Sequence, residues 1–148
     1  MTKVGEHVTF DIIGTQKEYD PKFYEKLVYK IAKKAKVVVL EISKYKFEPQ
    51  GFTLVALLAE SHISFHTFPE KGIISFDFFT CGKVSPSVAL EVLKKEIKHT
   101  RIVKKEFNRD TIDYYDDIYS SQGLKKYYLV KNILEAVSYT HLRAHETL

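Results

Sequence analysis

The side chains able to do chemistry are concentrated between Glu60 and Gly82, where the chain reads ESHISFHTFPEKGIISFDFFTCG. This stretch carries a hydroxyl at Ser61, imidazoles at His62 and His66, carboxylates at Glu60 and Glu70, and the lone thiol of the protein, Cys81. Two apolar runs, Ile63 to Phe68 and Ile73 to Thr80, flank Pro69-Glu70-Lys71-Gly72, and the proline and glycine predict a β-hairpin. With the turn centred on Glu70 and Lys71, Phe68 faces Ile73, His66 faces Ser75 and Glu60 faces Cys81. Directly opposed residues have Cβ atoms about 5 Å apart, so the thiol falls across from the Glu60–Ser61 bond. The two-residue period puts His62, Ser64 and His66 on one face and Ile63, Phe65 and Thr67 on the other. Several chemistries fit such a group. His62, His66 and Cys81 could ligate zinc, although their spacing follows no common zinc pattern. Cys81 could also be a small core hydrophobe and the histidines ordinary polar residues.

The elements that must position these residues follow from hydrophobic periodicity. Val8, Phe10 and Ile12 alternate with His7, Thr9 and Asp11, the period of a half-buried strand. Asp20-Pro21 is a cap followed by a first-turn proline, and Phe23, Leu27 and Ile31 recur at helical spacing to about Ala35. Val37 to Ile42 reads as a strand, Lys44 to Gly51 as a connection, and Phe52 to Ala59 as another strand. After the hairpin, Ser85-Pro86 opens a helix through about Ile97, and Arg101 to Phe107 alternates as a last strand. The order β-α-β-β-β-β-α-β predicts an α+β fold, a two-layer sandwich with helices packed on one face of a mainly antiparallel sheet.

Length and composition bound the function. The 148 residues suit one domain, and 45% hydrophobic with 28% charged residues describes a chain that buries a core. No apolar run is long enough to span a bilayer, and residues 1–10 lack the apolar stretch of a signal peptide. A single cysteine excludes an internal disulfide and an all-thiolate zinc site. These features predict a soluble cytoplasmic protein with no membrane partner. The net charge of +4 comes from lysines scattered along the chain without a recognition motif, so no nucleic-acid partner is expected. A core of residues 1–109 is expected, then an extension, 110–137, where Asp110, Asp113, Asp116 and Asp117 surround tyrosines and 124–137 is weakly helical. The final stretch, 138–148, resembles translated adapter sequence, so it is expected to be non-native. His141 and His145 are therefore given no functional weight.

At Glu60-Ser61-His62, His66, Pro69-Glu70 and Thr80-Cys81-Gly82 the chain resembles the pyruvoyl-dependent S-adenosylmethionine decarboxylases of the short prokaryotic type. Lys46-Phe47-Glu48-Pro49-Gln50-Gly51 is similar to a loop of the same family, and the resemblance covers about Val4 to Phe107. It implies a proenzyme that cuts itself between Glu60 and Ser61. The serine hydroxyl attacks the preceding carbonyl, the amide becomes an ester, and elimination leaves dehydroalanine, which becomes a pyruvoyl group with loss of ammonia. The covalent cofactor would thus be made from Ser61, and would form a Schiff base with the substrate amine. No metal is implied.

By the same resemblance, His66 is the base that removes the serine α-proton, Cys81 the proton donor during turnover, and Thr53 a hydroxyl that assists processing. Phe47 would pack on the adenine ring and Glu70 would bind the substrate. Thr53 stands where the family usually has serine, Leu54 where it has glycine, and Phe68 where it often has tryptophan. The implied activity is decarboxylation of S-adenosylmethionine, a small-molecule substrate, to the aminopropyl donor for spermidine synthesis, in a homodimer of two-chain protomers. The alternatives are a pyruvoyl-dependent arginine or ornithine decarboxylase, which the acidic extension could suit, and an unprocessed, non-catalytic binding module.

Overall fold

A computed structural model describes residues 3–110 and the helical residues 132, 133, 135 and 136. The rest of the 110–137 extension and all of the 138–148 tail lie outside the described residues. Lys3–Arg109 forms one compact unit. Its elements are β1 (Lys3–Ile13), α1 (Pro21–Ala35), β2 (Val39–Lys46), β3 (Phe52–Leu58), β4 (Ser61–Phe68), β5 (Ile73–Thr80), α2 (Ala89–Glu96) and β6 (Arg101–Asp110).

The helices arise where the sequence provides caps. Asp20 accepts a 3.0 Å hydrogen bond from the Phe23 amide, Pro21 occupies the first turn, and Lys36 closes α1 in the left-handed conformation. The predicted second helix divides into a 3₁₀ turn, Pro86–Val88, and α2. Ser85 caps that turn by accepting from the Ser87 amide, and tight i→i+3 geometry precedes the α-helix. Lys30 and Lys34 of α1 reach Glu96 and Glu91 of α2 across the helix pair.

The six strands lie in the order β2-β3-β4-β5-β1-β6, and the pairings β2–β3, β3–β4, β4–β5 and β5–β1 are antiparallel. The sheet with both helices on one face is the α+β sandwich expected from the element order. β2 runs further than expected, through Lys44 to Lys46, with a bulge between Val39 and Glu41. Its pairing with β3 is what extends it, and an edge strand rich in lysine lacks the alternation by which a strand is recognised.

Alternate residues divide the sheet. Val8, Phe10, Ile12, Leu54, Ala56, Ile63, Phe65, Phe76 and Phe78 are buried against Tyr24, Leu27, Val28 and Ile31 of α1. Phe65 is central, its ring 4.9 Å from Phe76 and 5.3 Å from Tyr24. Burial raises the Tyr24 phenol well above its usual range. The other face, turned away from α1 and α2, carries His7, Thr9, Asp11, Thr53, His62, Ser64, His66, Ser75 and Asp77. Phe65→Ala is expected to cost about 3–5 kcal/mol and Asp20→Ala about 1 kcal/mol, as measured by denaturant unfolding.

Candidate active site

The β4–β5 register matches the hairpin expected from the sequence: Phe68 faces Ile73, His66 faces Ser75 and Ser61 faces Thr80. The next step along the ladder brings Cys81 to Glu60. The thiol donates to the Glu60 carbonyl oxygen at 2.8 Å, and its sulfur lies 3.8 Å from the Glu60 carboxylate. Glu60 sits in the tight turn between β3 and β4 with φ of 59°, a left-handed conformation that a side chain rarely adopts. Such a backbone costs of order 1–3 kcal/mol, so the peptide bond after Glu60 leaves a strained residue.

Ser61 opens β4 with its side chain buried on the helix-covered face. Its hydroxyl donates to Thr80 Oγ1 at 3.0 Å, and the same oxygen accepts from the Gly82 amide at 2.9 Å. Cys81 itself is exposed. One end of the sheet therefore gathers a strained residue at Glu60, a serine hydroxyl held by Thr80 and a thiol directed at the carbonyl between them.

The remaining sequence-predicted residues gather elsewhere. His66 pairs with Thr53 across β3 and β4, with Nδ1 3.0 Å from the Thr53 hydroxyl. His66 lies five positions along the strand from Ser61, about 16 Å at the rise of a β-strand, and the odd spacing places them on opposite faces. Phe47 and Glu70 lie at the same end of the sheet as His66. Phe47 is 47% exposed, its ring is 4.9 Å from Tyr45, and its amide donates to Gly51 at 2.9 Å. Gly51 has φ of 99°, a conformation suited to glycine. Glu70 lies in the exposed 3₁₀ turn Pro69–Lys71, beside Phe68. Leu54 is buried in the core and points away from the His66 face, so its bulk is absorbed by packing rather than crowding the site. Among the described residues no three His, Cys, Asp or Glu side chains form a metal-holding cluster, and His62, His66 and Cys81 do not converge.

A polar network on the face turned away from α1 and α2 is not predicted by the sequence. Asp77 accepts from Ser64 at 3.3 Å and lies 3.2 Å from His7 Nε2, while Ser75 donates to Asp11 at 3.0 Å. His62 packs near His7 and Phe79, and the Arg109 guanidinium lies over the Phe79 ring. The register of β1 against β5 assembles this group, and no local motif announces it. The Thr80-Cys81-Gly82 motif assigns Thr80 no role of its own, and the hairpin register is the signal that sets it opposite Ser61.

The comparisons with known proteins bear on this geometry. The sequence pattern of the S-adenosylmethionine decarboxylase family matches residues 6–110. A protein of Prochlorococcus marinus named S-adenosylmethionine decarboxylase proenzyme is 39% identical over 111 residues, covering 73% of this chain and 89% of its own. One of Methanococcus vannielii with the same name is 34% identical over 116 residues, covering 76% and 95%. The crystal structure of adenosylmethionine decarboxylase from Aquifex aeolicus superposes with a TM-score of 0.66 at 31% identity, covering 74% of this chain and 92% of that one. A Trypanosoma brucei structure at 14% identity and TM-score 0.51, covering 82% of this chain and 50% of that one, shares the fold. The fold is thus that of the adenosylmethionine decarboxylases. The chain belongs to the S-adenosylmethionine decarboxylase family.

Burial holds the His62 imidazole below its ordinary pKa; His7 and Arg109 act in the same direction and Asp77 opposes them. The unfolded chain takes up that proton near pH 6.5, more readily than the folded one. The stabilisation is therefore complete above that value and is lost as pH falls through it towards the lower folded pKa. The unfolding midpoint should drop between pH 7 and pH 5, and His62→Gln should make the drop shallower. An unchanged pH profile in that variant would contradict the assignment.

Proposed function

We propose that the chain is a proenzyme that cuts itself between Glu60 and Ser61 and decarboxylates S-adenosylmethionine with the pyruvoyl group so formed. The observation that carries this reading is the Cys81 thiol 2.8 Å from the carbonyl oxygen of the Glu60–Ser61 bond, in a chain whose relatives are named proenzymes. Nothing in those names favours arginine or ornithine. As a metabolic enzyme it would work in the cytoplasm, and no helix among the described residues is long and apolar enough to cross a membrane.

The residues present fit the cofactor. Ser61 Oγ adds to the Glu60 carbonyl carbon; as the new C–O bond forms, the C–N bond breaks and the hydroxyl proton ends on the freed amine. The Cys81 S–H is aimed at the oxygen on which negative charge builds during that addition. Removal of the Ser61 α-proton by His66 then expels Glu60 as a carboxylate that keeps Oγ. The dehydroalanine left behind tautomerises and hydrolyses with loss of ammonia. The pyruvoyl group supplies a carbonyl that takes up the electrons released as carbon dioxide departs. Cys81, exposed beside the new terminus, then delivers a proton to the substrate α-carbon. Phe47 offers an exposed aromatic face for adenine, and Glu70 a carboxylate for the cationic substrate.

The placement of His66 and Thr53 about 16 Å from Ser61 along the strand supports a homodimer in which each site takes these two residues from the second protomer. Phe47 and Glu70 share their end of the sheet, so the partner would bring them as well. The sheet face turned away from α1 and α2, which carries His66 and Thr53, would make such a contact.

Two experiments test this reading. Carbon dioxide release measured in parallel with S-adenosylmethionine, arginine and ornithine should occur with S-adenosylmethionine alone; release from arginine instead would overturn the substrate. Co-expression of Ser61→Ala with His66→Ala chains should restore cutting of the His66→Ala chain, which stays whole by itself. If it also stays whole in the mixture, His66 does not act across the dimer.

A further inference from the structure

We propose that Thr80 is a positioning residue for self-cleavage, its hydroxyl fixing the attacking Ser61 and the turn that carries Cys81 at the same time. The inference rests on the self-cutting reading above and adds a residue to it.

Ser61 and Thr80 face each other directly in the β4–β5 ladder, and Thr80 is held on its other side by pairing with Glu6 of β1. The backbone beneath Thr80 is thus fixed from both sides, and a β-branched side chain has little freedom at χ1. Its hydroxyl oxygen has two lone pairs, and both are used. One accepts from Ser61 Oγ at 3.0 Å and the other from the Gly82 amide at 2.9 Å.

Ser61 and Thr80 are 8% and 1% exposed, and Leu58, Ile63 and Phe78 beside them are buried. Little water competes for these groups. A serine free of such a partner samples three staggered rotamers, whereas the Thr80 contact selects one. It engages the Ser61 proton and leaves the oxygen lone pairs available to the Glu60 carbonyl carbon.

The second bond extends the effect. Gly82 follows Cys81, whose thiol donates to the Glu60 carbonyl. One threonine oxygen therefore sets the nucleophile and the carbonyl's hydrogen-bond donor relative to the same peptide bond. The contact belongs to the uncut chain alone, because Oγ leaves with the Glu60 carboxylate when the ester breaks.

The test is a pulse-chase of the full chain made by cell-free translation, following conversion of whole chain to fragments. Thr80→Val keeps the shape and removes the hydroxyl, and should slow cutting by about tenfold or more, the effect of a lost hydrogen bond and a released rotamer. Thr80→Ser restores the hydroxyl and should cut within about threefold of the wild type. Thermal unfolding in a Ser61→Ala background checks that Thr80→Val folds, and Thr80→Ala takes its place with the same expectation if it does not. Cutting of Thr80→Val at the wild-type rate, or of Thr80→Ser as slowly as Thr80→Val, would overturn the assignment. A wild-type chain that stays whole would overturn the self-cutting reading, and this one with it.

Discussion

The constraint on which the rest depends is the register of the β4–β5 hairpin. A shift of one residue would turn every side chain to the opposite face and move the Cys81 thiol off the Glu60 carbonyl. The hairpin is pinned at its far end by the Pro69–Lys71 turn and Gly72, and along its length by Ile63, Phe65, Phe76 and Phe78 packed under α1. The core therefore does more than stabilise the sheet. Its alternation of apolar residues places Ser61 in the same layer as Thr80, and the turn length fixes which residue meets the thiol.

Strain and attachment meet at the Glu60–Ser61 junction. Glu60 is forced into a left-handed conformation by the tight turn joining β3 to β4. Ser61 is tied to Thr80, and Cys81 to the carbonyl between them. Loop, hydroxyl and thiol together form a local arrangement suited to an acyl shift. The histidine and threonine expected to assist lie at the other end of the strands. Within one protomer the Ser61–Cys81 group and the His66–Thr53 pair are thus separate, which is why the proposed reaction calls on a second copy to bring them together.

Much of this was legible in the sequence because its signals are local. Asp20-Pro21 marked α1, the alternation of Val8, Phe10 and Ile12 marked β1, and Pro69 to Gly72 marked the hairpin from which the Cys81 position follows by counting. The extension of β2 to Lys46 was not legible, since an exposed edge strand needs no apolar alternation and its form comes from pairing with β3. The separation of His66 from Ser61 could have been counted along the strand, yet a family motif presents both as members of one site. The His7–Asp77–Ser64 network depends on β1 lying beside β5, a long-range pairing that no short motif records.

The central claim, that this chain converts itself at Ser61, is tested most directly by denaturing mass spectrometry of the purified wild-type protein. The account predicts two polypeptides, one ending at Glu60 and one beginning at position 61 with a blocked terminus. The second should be lighter by one ammonia than a chain beginning with serine. A single intact chain with an unmodified Ser61 would contradict it.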